Sequence, residues 1–369
     1  MQLSLKQQEA LDAFKQNKNV FLTGPGGSGK TELIRCMVNA GQEASKNVQV
    51  CAMTGCAAVL LKCPNTKTLH SWAGIGLGNG DPNKIINKVF NSRFKKAEWN
   101  RPDVLIIDEV SMLSLKLFNL LDLIARRCRN NMHIPFGGLQ IVFSGDFYQL
   151  PPIGTEYDKD SSAFCFESDA WSSSFDIIIQ LNTIYRQTNK TYSKVLNQIR
   201  VGKLSKNSYN LLCQRVVPSI NISYPPDIPH IAPTILLPRR RAADIINNTE
   251  LAKLTGETHT YTTRTINDLP IKKTHVPDML ERPMSLDMIE NEILHLRSSI
   301  LAEEKIKITV GAQVMCIANI DVDNSMPIVN GSQGKVIEFV EGYPLVLFKN
   351  NQKKLIKPHT WASDSVPGL

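Results

Sequence analysis

The sequence contains few features that would place it outside the ordinary class of intracellular globular proteins. Its eight cysteines include no C-x-x-C pair and its seven histidines are dispersed, so neither a zinc site nor a disulfide framework is predicted. The first residues carry no apolar signal core, and no apolar run reaches the ~20 residues of a membrane span. These absences argue against a secreted or membrane-spanning protein, and we expect an intracellular chain of the cytoplasm or nucleus.

The length and charge of the chain narrow its class further. With 369 residues, of which 42% are hydrophobic and 21% charged, the chain can form two or three domains with sizeable cores. Its net charge of +8 is a mild bias toward polyanionic partners, and alone it is a weak signal.

The most informative segment is 24–31, which reads Gly-Pro-Gly-Gly-Ser-Gly-Lys-Thr and matches the phosphate-binding loop G-x-x-x-x-G-K-[ST]. An apolar run at 20–22 precedes it and a helical pattern follows, which is the context that this loop requires. We expect Lys30 to reach the β- and γ-phosphates of ATP, and Thr31 to hold Mg²⁺. Backbone N–H groups would approach the phosphates along the rest of the loop, at Gly24, Gly26, Gly27, Ser28, Gly29 and Lys30.

A second segment supplies two carboxylates. Residues 104–107 are all apolar and predict a buried parallel strand, which ends at Asp108 and Glu109. Open α/β sheets bind ligands beyond the carboxyl ends of their strands. We therefore expect Asp108 to hold Mg²⁺, directly or through water, and Glu109 to polarise the water that attacks the γ-phosphate.

The order of predicted elements indicates the fold class. Strand-like runs at 20–23, 48–53, 104–107 and 140–144 alternate with helical segments, which favours an α/β fold with a parallel sheet covered on both faces. Residues 73–101 interrupt this alternation and predict a small inserted excursion. Short strands predominate from 306 to 348. The strand at 140–144 leads into Gly145 and a loop ending in two prolines, where Gln149 is placed to bond the γ-phosphate and report its loss.

Residues 24–31, 108–109 and 145–152 together resemble the motifs of superfamily-one DNA helicases. The finer resemblance is to the Pif-type branch, which is related to RecD and Dda. Residues 3–7 resemble its adenine-reading motif, with Gln7 as the reader. Residues 181–187 are similar to the segment that carries its first arginine finger, here Arg186, which would neutralise charge on the transferring phosphoryl group.

The resemblance extends to DNA contacts. Residues 52–58 and 66–71 resemble the single-strand-binding segment of the family, and their short donors suit backbone phosphates. Helix capping is the alternative for the polar residues, and for Trp72 both base stacking and core packing are open. The candidate DNA-binding residues are Thr54, Gly55, Thr68, His70, Ser71 and Trp72.

The same resemblance implies a domain organisation and an activity. A RecA-like, P-loop NTPase motor domain would span 1–188, and a second, incomplete RecA-like domain with a β-rich C-terminal part would span 189–369. Residues 311–315 and 329–334 resemble stretches of that second domain. The family implies Mg²⁺-dependent ATP hydrolysis and 5′-to-3′ movement on single-stranded DNA, with DNA junctions as further partners and a monomeric enzyme.

The sequence lacks two later motifs of the family, a His-Lys-Ser-Gln-Gly-like segment and an Ala-Leu-Ser-Arg-like segment with a second arginine finger. We therefore expect a truncated or split protein that binds nucleotide, hydrolyses it poorly and unwinds DNA weakly by itself. A nucleotide-gated single-strand-binding protein without motor activity is the alternative function. A P-loop kinase or GTPase leaves residues 145–152 unexplained.

Overall fold

The computed structural model describes residues 3–76, 78, 80–154, 157–216, 234–266, 293, 297, 302–318, 320, 328 and 331–361. The chain divides into two compact units, Met1–Pro218 and Ser219–Leu369. The Pro-rich stretch 218–233, whose composition is typical of a linker or surface loop, lies outside the described residues, as do residues 329–330. The domain boundary that we expect at 188 stays a prediction.

The first unit is built on a parallel sheet, as the alternation of elements predicts. Its strands are β1 (Val20–Thr23), β2 (Val48–Ala52), β3 (Lys67–Thr68), β4 (Val104–Asp108), β5 (Gln140–Gly145) and β6 (Ile177–Gln180). They lie in the order β3-β2-β4-β5-β1-β6, and every neighbouring pair is parallel. The predicted α/β, RecA-like sheet is therefore confirmed for this unit.

The helices of this unit are α1 (Leu5–Lys15), α2 (Lys30–Glu43), α3 (Gly55–Leu61), α4 (Leu69–Ala73), α5 (Pro82–Asn91), α6 (Arg93–Asn100), α7 (Leu115–Cys128), α8 (Lys159–Ser162), α9 (Trp171–Ser174), α10 (Lys190–Arg200) and α11 (Lys206–Cys213). Helices α1–α3 cover one face of the sheet, and α4–α7 with α9 cover the other. Short 3₁₀ turns occupy Val110–Met112, Pro135–Gly138 and Cys165–Glu167. In the described part of the chain, no helix combines the length and apolarity needed to cross a membrane.

Strand β4 is apolar on both faces because the sheet separates two cores. Leu105 and Ile107 pack into the core beneath α4–α7 and α9, whereas Val104 and Ile106 pack into the core beneath α1–α3. Side chains of a strand alternate between faces, so this unbroken apolar run is what a central parallel strand requires. The carboxylates that follow the strand are thereby held at its carboxyl end.

The strand register brings the functional segments to one edge of the sheet. Thr23 pairs with Gly145, and Asp108 pairs with Ser144. Strand β5 lies between β1 and β4, so the phosphate loop, the carboxylates and the 145–152 loop emerge side by side. This is the edge where parallel α/β sheets place their ligands.

The predicted excursion at 73–101 forms helices α5 and α6. Asp81 and Ser92 cap these two helices, each accepting a hydrogen bond from a backbone N–H. Ile86, Val89 and Trp99 enter the core beneath α7. The segment is thus packed against the first unit through its own apolar side chains.

The described part of the second unit pairs its strands antiparallel. It contains α12 (Arg240–Ala252), β7 (Thr258–Thr262), β8 (Lys305–Thr309), β9 (Gln313–Met315), β10 (Gln333–Val340), β11 (Tyr343–Phe348) and β12 (Lys353–Leu355). These strands form the sheet β12-β11-β10-β9 and the pair β7-β8. At the β10–β11 turn, Glu341 and Gly342 both adopt positive φ, as a tight hairpin turn demands. A second RecA-like parallel sheet stays a prediction.

Candidate functional site

The phosphate loop joins β1 to α2 through several glycines, and at Gly27 and Gly29 no larger residue could stand without strain. Gly27 has φ +81°, and a Cβ there would lie 2.6 Å from the Cβ of Arg186. Gly29 has φ +86°, and its Cβ would lie 2.6 Å from Nε2 of Gln7. At Gly26 a Cβ would meet nothing within 4 Å. The loop is therefore packed on its protein side and open at Gly26, as a phosphate cradle should be.

Lys30 begins helix α2 and its side chain reaches back across the loop. Its Nζ donates to the carbonyl oxygens of Gly24 at 2.7 Å and of Pro25 at 3.2 Å. Burial lowers the pKa of Lys30, and the carboxylates of Asp146, Asp108 and Glu109 oppose that shift. A partly desolvated cation facing this loop is suited to an anionic ligand.

Asp108 and Glu109 form the acidic side of the site. Asp108 is buried at the end of β4, and burial raises its pKa above the ordinary aspartate value. Burial also raises the pKa of Glu109, and the neighbouring Asp108 charge adds to that rise. Glu109 adopts a left-handed backbone conformation, with φ 60° and ψ 40°. Such strain in a non-glycine residue costs about 1–3 kcal/mol and concentrates at functional sites.

The loop that follows β5 carries the predicted sensor. Gln149 is exposed, and its Nε2 donates to Oδ2 of Asp146 at 3.2 Å. Asp146 itself is buried beside the edge where β5 ends. The predicted sensor side chain is thus tied to a buried carboxylate that also acts on Lys30.

Arg186 lies directly on the phosphate loop. The chain leaves β6 alongside β1, where the N–H of Leu181 donates to the carbonyl of Thr23 at 2.8 Å. It then crosses the loop, and the N–H groups of Tyr185 and Arg186 both point to the carbonyl of Gly27, at 2.8 and 3.4 Å. The exposed Arg186 side chain starts from this contact, with its Cβ against Gly27, so the first unit places this arginine beside the phosphate cradle.

Comparison with known proteins gives a family consistent with this geometry. Residues 2–210 match the family model of PIF1-like helicases, and residues 293–339 match that of the DNA helicase Pif1 2B domain. The chain is 35% identical to the ATP-dependent DNA helicase PIF1 of Saccharomyces cerevisiae, over 92% of this chain and 36% of that protein. It superposes on the crystal structure of Pif1 helicase from Candida albicans with a TM-score of 0.76 and 31% identity, covering 98% of this chain and 80% of the other.

This chain belongs to the PIF1-like helicase family. Bacteroides Pif1 bound to single-stranded DNA is a further similar structure, with a TM-score of 0.66 and 27% identity over 98% of this chain and 75% of that one. The chain spans less than half the length of four curated fungal helicases that it matches, between 36% and 44%.

Membership of the PIF1-like family implies Mg²⁺ and ATP, and the residues present fit both. The hydroxyl of Ser28, within the phosphate loop, is buried without a hydrogen-bond partner among the described residues. The oxygen donors that a hard cation prefers are supplied by Thr31 at the start of α2 and by Asp108. The assignment of these two residues to Mg²⁺ stays a prediction.

Gln7 reaches the phosphate loop but already has partners for both ends of its amide. Its Oε1 accepts from the N–H of Ser4 at 2.9 Å, which completes a capping box for α1. Its Nε2 lies 3.5 Å from the carbonyl oxygen of Gly29. Gln7 is thus a buried structural link between α1 and the loop, and its role in reading adenine stays a prediction.

The candidate DNA-binding residues follow β2 and β3, at the same edge of the sheet as the nucleotide site. Thr54 accepts from the N–H of Ala57 at 3.2 Å and Thr68 from that of Ser71 at 3.4 Å, so both hydroxyls cap helices. A Cβ at Gly55 would meet nothing within 4 Å. His70 and Ser71 are half-buried on α4. Capping leaves each threonine hydroxyl hydrogen able to donate, so capping and phosphate binding are compatible here.

Trp72 is the exception, and the expectation that it stacks on a base has to be corrected. Its side chain is 1% exposed and lies in the core beneath α7, with its ring centroid 4.5 Å from that of Trp99. The residue sits on the inward face of the short helix α4, opposite to the face that holds the half-buried polar residues. Core packing, the other alternative, describes this residue.

Substitution of Trp72 should therefore affect stability and not DNA binding. Trp72→Ala should lower the free energy of unfolding by about 3–5 kcal/mol, because it leaves a large cavity. Trp72→Leu, which keeps an apolar side chain in the core but cannot stack on a base, should hold single-stranded DNA affinity within about twofold, since stacking losses of ~1–3 kcal/mol would not apply. Chemical denaturation and fluorescence anisotropy measure the two effects. A tenfold loss of DNA affinity in folded Trp72→Leu would restore the stacking role.

Three residues at this site were not singled out from the sequence. Tyr185 is 48% exposed, and its ring lies 3.6 Å from where a Cβ at Gly29 would be. Asp146 and Arg200 form a buried ion pair at 2.6 Å. Tyr185 belongs to the segment 181–187 that carries the family resemblance, and Asp146 follows β5 directly. No spacing in the sequence predicts that Asp146 and Arg200 form an ion pair.

Proposed function

We propose that this chain is an ATP-dependent DNA helicase motor that hydrolyses Mg²⁺-ATP and moves along single-stranded DNA, with weak turnover and unwinding by the chain alone. The observation that carries the proposal is the convergence of four groups at one sheet edge: the Lys30 amine, the Glu109 carboxylate, the Gln149 amide and the Arg186 guanidinium. A protein that only binds nucleotide has no use for a base and a free guanidinium in this arrangement.

Each group has a distinct role in phosphoryl transfer. Lys30 neutralises the β- and γ-phosphates, for which it exchanges its bonds to Gly24 and Pro25. Glu109 orients and deprotonates the attacking water. Arg186 stabilises charge on the transferring phosphoryl group, and Gln149 responds to the presence of the γ-phosphate. Thr31 and Asp108 would hold Mg²⁺, which when bound would supply charge neutralisation for the phosphates.

We propose that single-stranded DNA binds to the surface formed by the residues at the carboxyl ends of β2 and β3. Thr54, Gly55, Thr68, His70 and Ser71 share the sheet edge of the nucleotide site, so a change at the γ-phosphate has a short path to the DNA. The solved Bacteroides relative with single-stranded DNA supports this class of partner. Movement from 5′ to 3′, action at DNA junctions and a monomeric state are proposed from the family.

The test is ATP hydrolysis by the chain with and without single-stranded DNA, together with DNA affinity in the presence and absence of a non-hydrolysable ATP analogue. A motor should show a rate that rises at least about tenfold with DNA. Nucleotide-dependent DNA binding without turnover would favour the nucleotide-gated binding protein instead. Turnover that is indifferent to DNA would contradict both.

A further inference from the structure

The carboxylate of Asp146 accepts hydrogen bonds from three partners. Arg200 donates through Nε to Oδ2 at 2.8 Å and through Nη2 to Oδ1 at 2.6 Å. Gln149 Nε2 donates to Oδ2 at 3.2 Å, and the backbone N–H of Tyr148 donates to Oδ1 at 3.3 Å. Burial raises the pKa of Asp146, but these hydrogen bonds and the Arg200 charge outweigh it and hold the pKa below its ordinary value. The carboxylate is therefore ionised and fully satisfied.

Arg200 binds this carboxylate from outside the sensor loop, which comprises residues 145–152 and carries both Asp146 and Gln149. It is the last residue of α10, and its guanidinium also lies over the ring of Tyr148, 4.4 Å from the centroid. Among the described residues of α10, Val195 is the buried one. The ion pair, in which Arg200 is 18% and Asp146 1% exposed, is thus a main attachment of this helix to the sensor loop.

The Asp146 carboxylate and a γ-phosphate would compete for the same donor, the Gln149 amide. A buried carboxylate demands donors, and leaving it short of them carries a desolvation cost. When Gln149 turns toward a γ-phosphate, it gives up its bond to Asp146. With Arg200 in place, Asp146 keeps two charge-assisted hydrogen bonds, so Gln149 can leave it at little cost in free energy. Without Arg200, Gln149 is the side-chain donor that remains in the described surroundings of Asp146, and it would be retained there.

We propose that Arg200 is a positioning residue for ATP hydrolysis: by satisfying Asp146, it frees the Gln149 amide to engage the γ-phosphate. This proposal rests on the proposed function. It adds a residue on α10 to the hydrolytic machinery, acting through Asp146 and not through contact with the nucleotide.

The experiment compares Arg200→Met with Arg126→Met in the full chain. Arg126 makes an equally buried pair with Asp122 at 2.8 Å, with exposures of 16% and 7%, in α7 and away from the phosphate loop. Both variants should melt at lower temperature. Only Arg200→Met should lower the DNA-stimulated kcat, by about tenfold, with ATP affinity nearly unchanged. Arg200→Lys, which keeps the charge but loses the two-pronged geometry, should fall between.

A double-mutant cycle supplies a readout that a structural role would not move. Gln149→Ala should slow the wild-type chain, but it should add little to Arg200→Met because the amide is already withheld there. Asp146→Asn should restore part of the rate in the Arg200→Met background, since a neutral amide holds Gln149 less tightly. Additive effects of Gln149→Ala and Arg200→Met, or equal losses in Arg126→Met and Arg200→Met, would overturn the proposal.

Hydrogen exchange separates this proposal from the proposed function. A non-hydrolysable ATP analogue should alter exchange of residues 146–152 in the wild-type chain and leave it unchanged in Arg200→Met. This readout needs no turnover. A wild-type chain that is inactive with DNA would contradict the helicase function, whereas an identical exchange response in both proteins would overturn the role of Arg200.

Discussion

Replacing Glu109 by glutamine should slow ATP hydrolysis by about 10²- to 10⁴-fold, because the variant cannot accept a proton from the attacking water. Glutamine has the size and backbone preferences to occupy the same left-handed position that Glu109 adopts after β4. The fold and the phosphate loop should therefore persist. ATP affinity should stay within about twofold, since the interaction removed is one made in the transition state. Steady-state turnover and fluorescent-nucleotide titration measure the two quantities.

The matched control is Glu43→Gln, which makes the same charge change at the exposed far end of α2. With 14 residues at ~1.5 Å rise, α2 separates Glu43 from Lys30 by about 20 Å. Its turnover should equal that of the wild type. If Glu109→Gln retained more than a tenth of wild-type turnover, Glu109 would not be the base.

The acid limb of the pH profile gives the same assignment independently. Glu109 acts as a base only when ionised, and burial raises its pKa. Turnover should thus fall on acidification at a higher pH than an exposed glutamate would give. The limb should disappear from the residual activity of Glu109→Gln.

The sequence predicted the first unit well because its signals are local. The apolar run at 104–107 could only be a strand covered on both faces, and the loop at 24–31 fixes where a strand ends and a helix begins. Parallel strands present their carboxyl ends at one edge of the sheet. Formation of the sheet therefore brings the segments with Lys30, Asp108 and Gln149 together.

What the sequence left open depends on contacts between distant segments. The sequence around Trp72 is the same whether the side chain stacks on a base or packs against Trp99. Its burial follows from the packing of helix α4 against α6. Thr54 and Thr68 act as helix caps because α3 and α4 begin directly after them. The pairing of Asp146 with Arg200 joins residues 54 positions apart, and no periodicity within either segment predicts it.

Arg186 is the remaining test of the chemistry, and its substitution should separate hydrolysis from binding. Arg186→Ala should reduce DNA-stimulated turnover by about 10³-fold, the lower range for an arginine finger. Alanine keeps the Cβ that packs against Gly27 and the N–H that points to the Gly27 carbonyl, so the loop should keep its shape. ATP affinity should then change little.

Arg186→Lys distinguishes a charge effect from one of geometry. Lysine keeps the positive charge beside the loop but presents a point charge in place of the planar fork that matches phosphoryl oxygens. We expect it to recover less than a tenth of the lost rate. If instead ATP affinity collapsed in Arg186→Ala and Arg186→Lys restored it, the guanidinium would be a ground-state phosphate ligand.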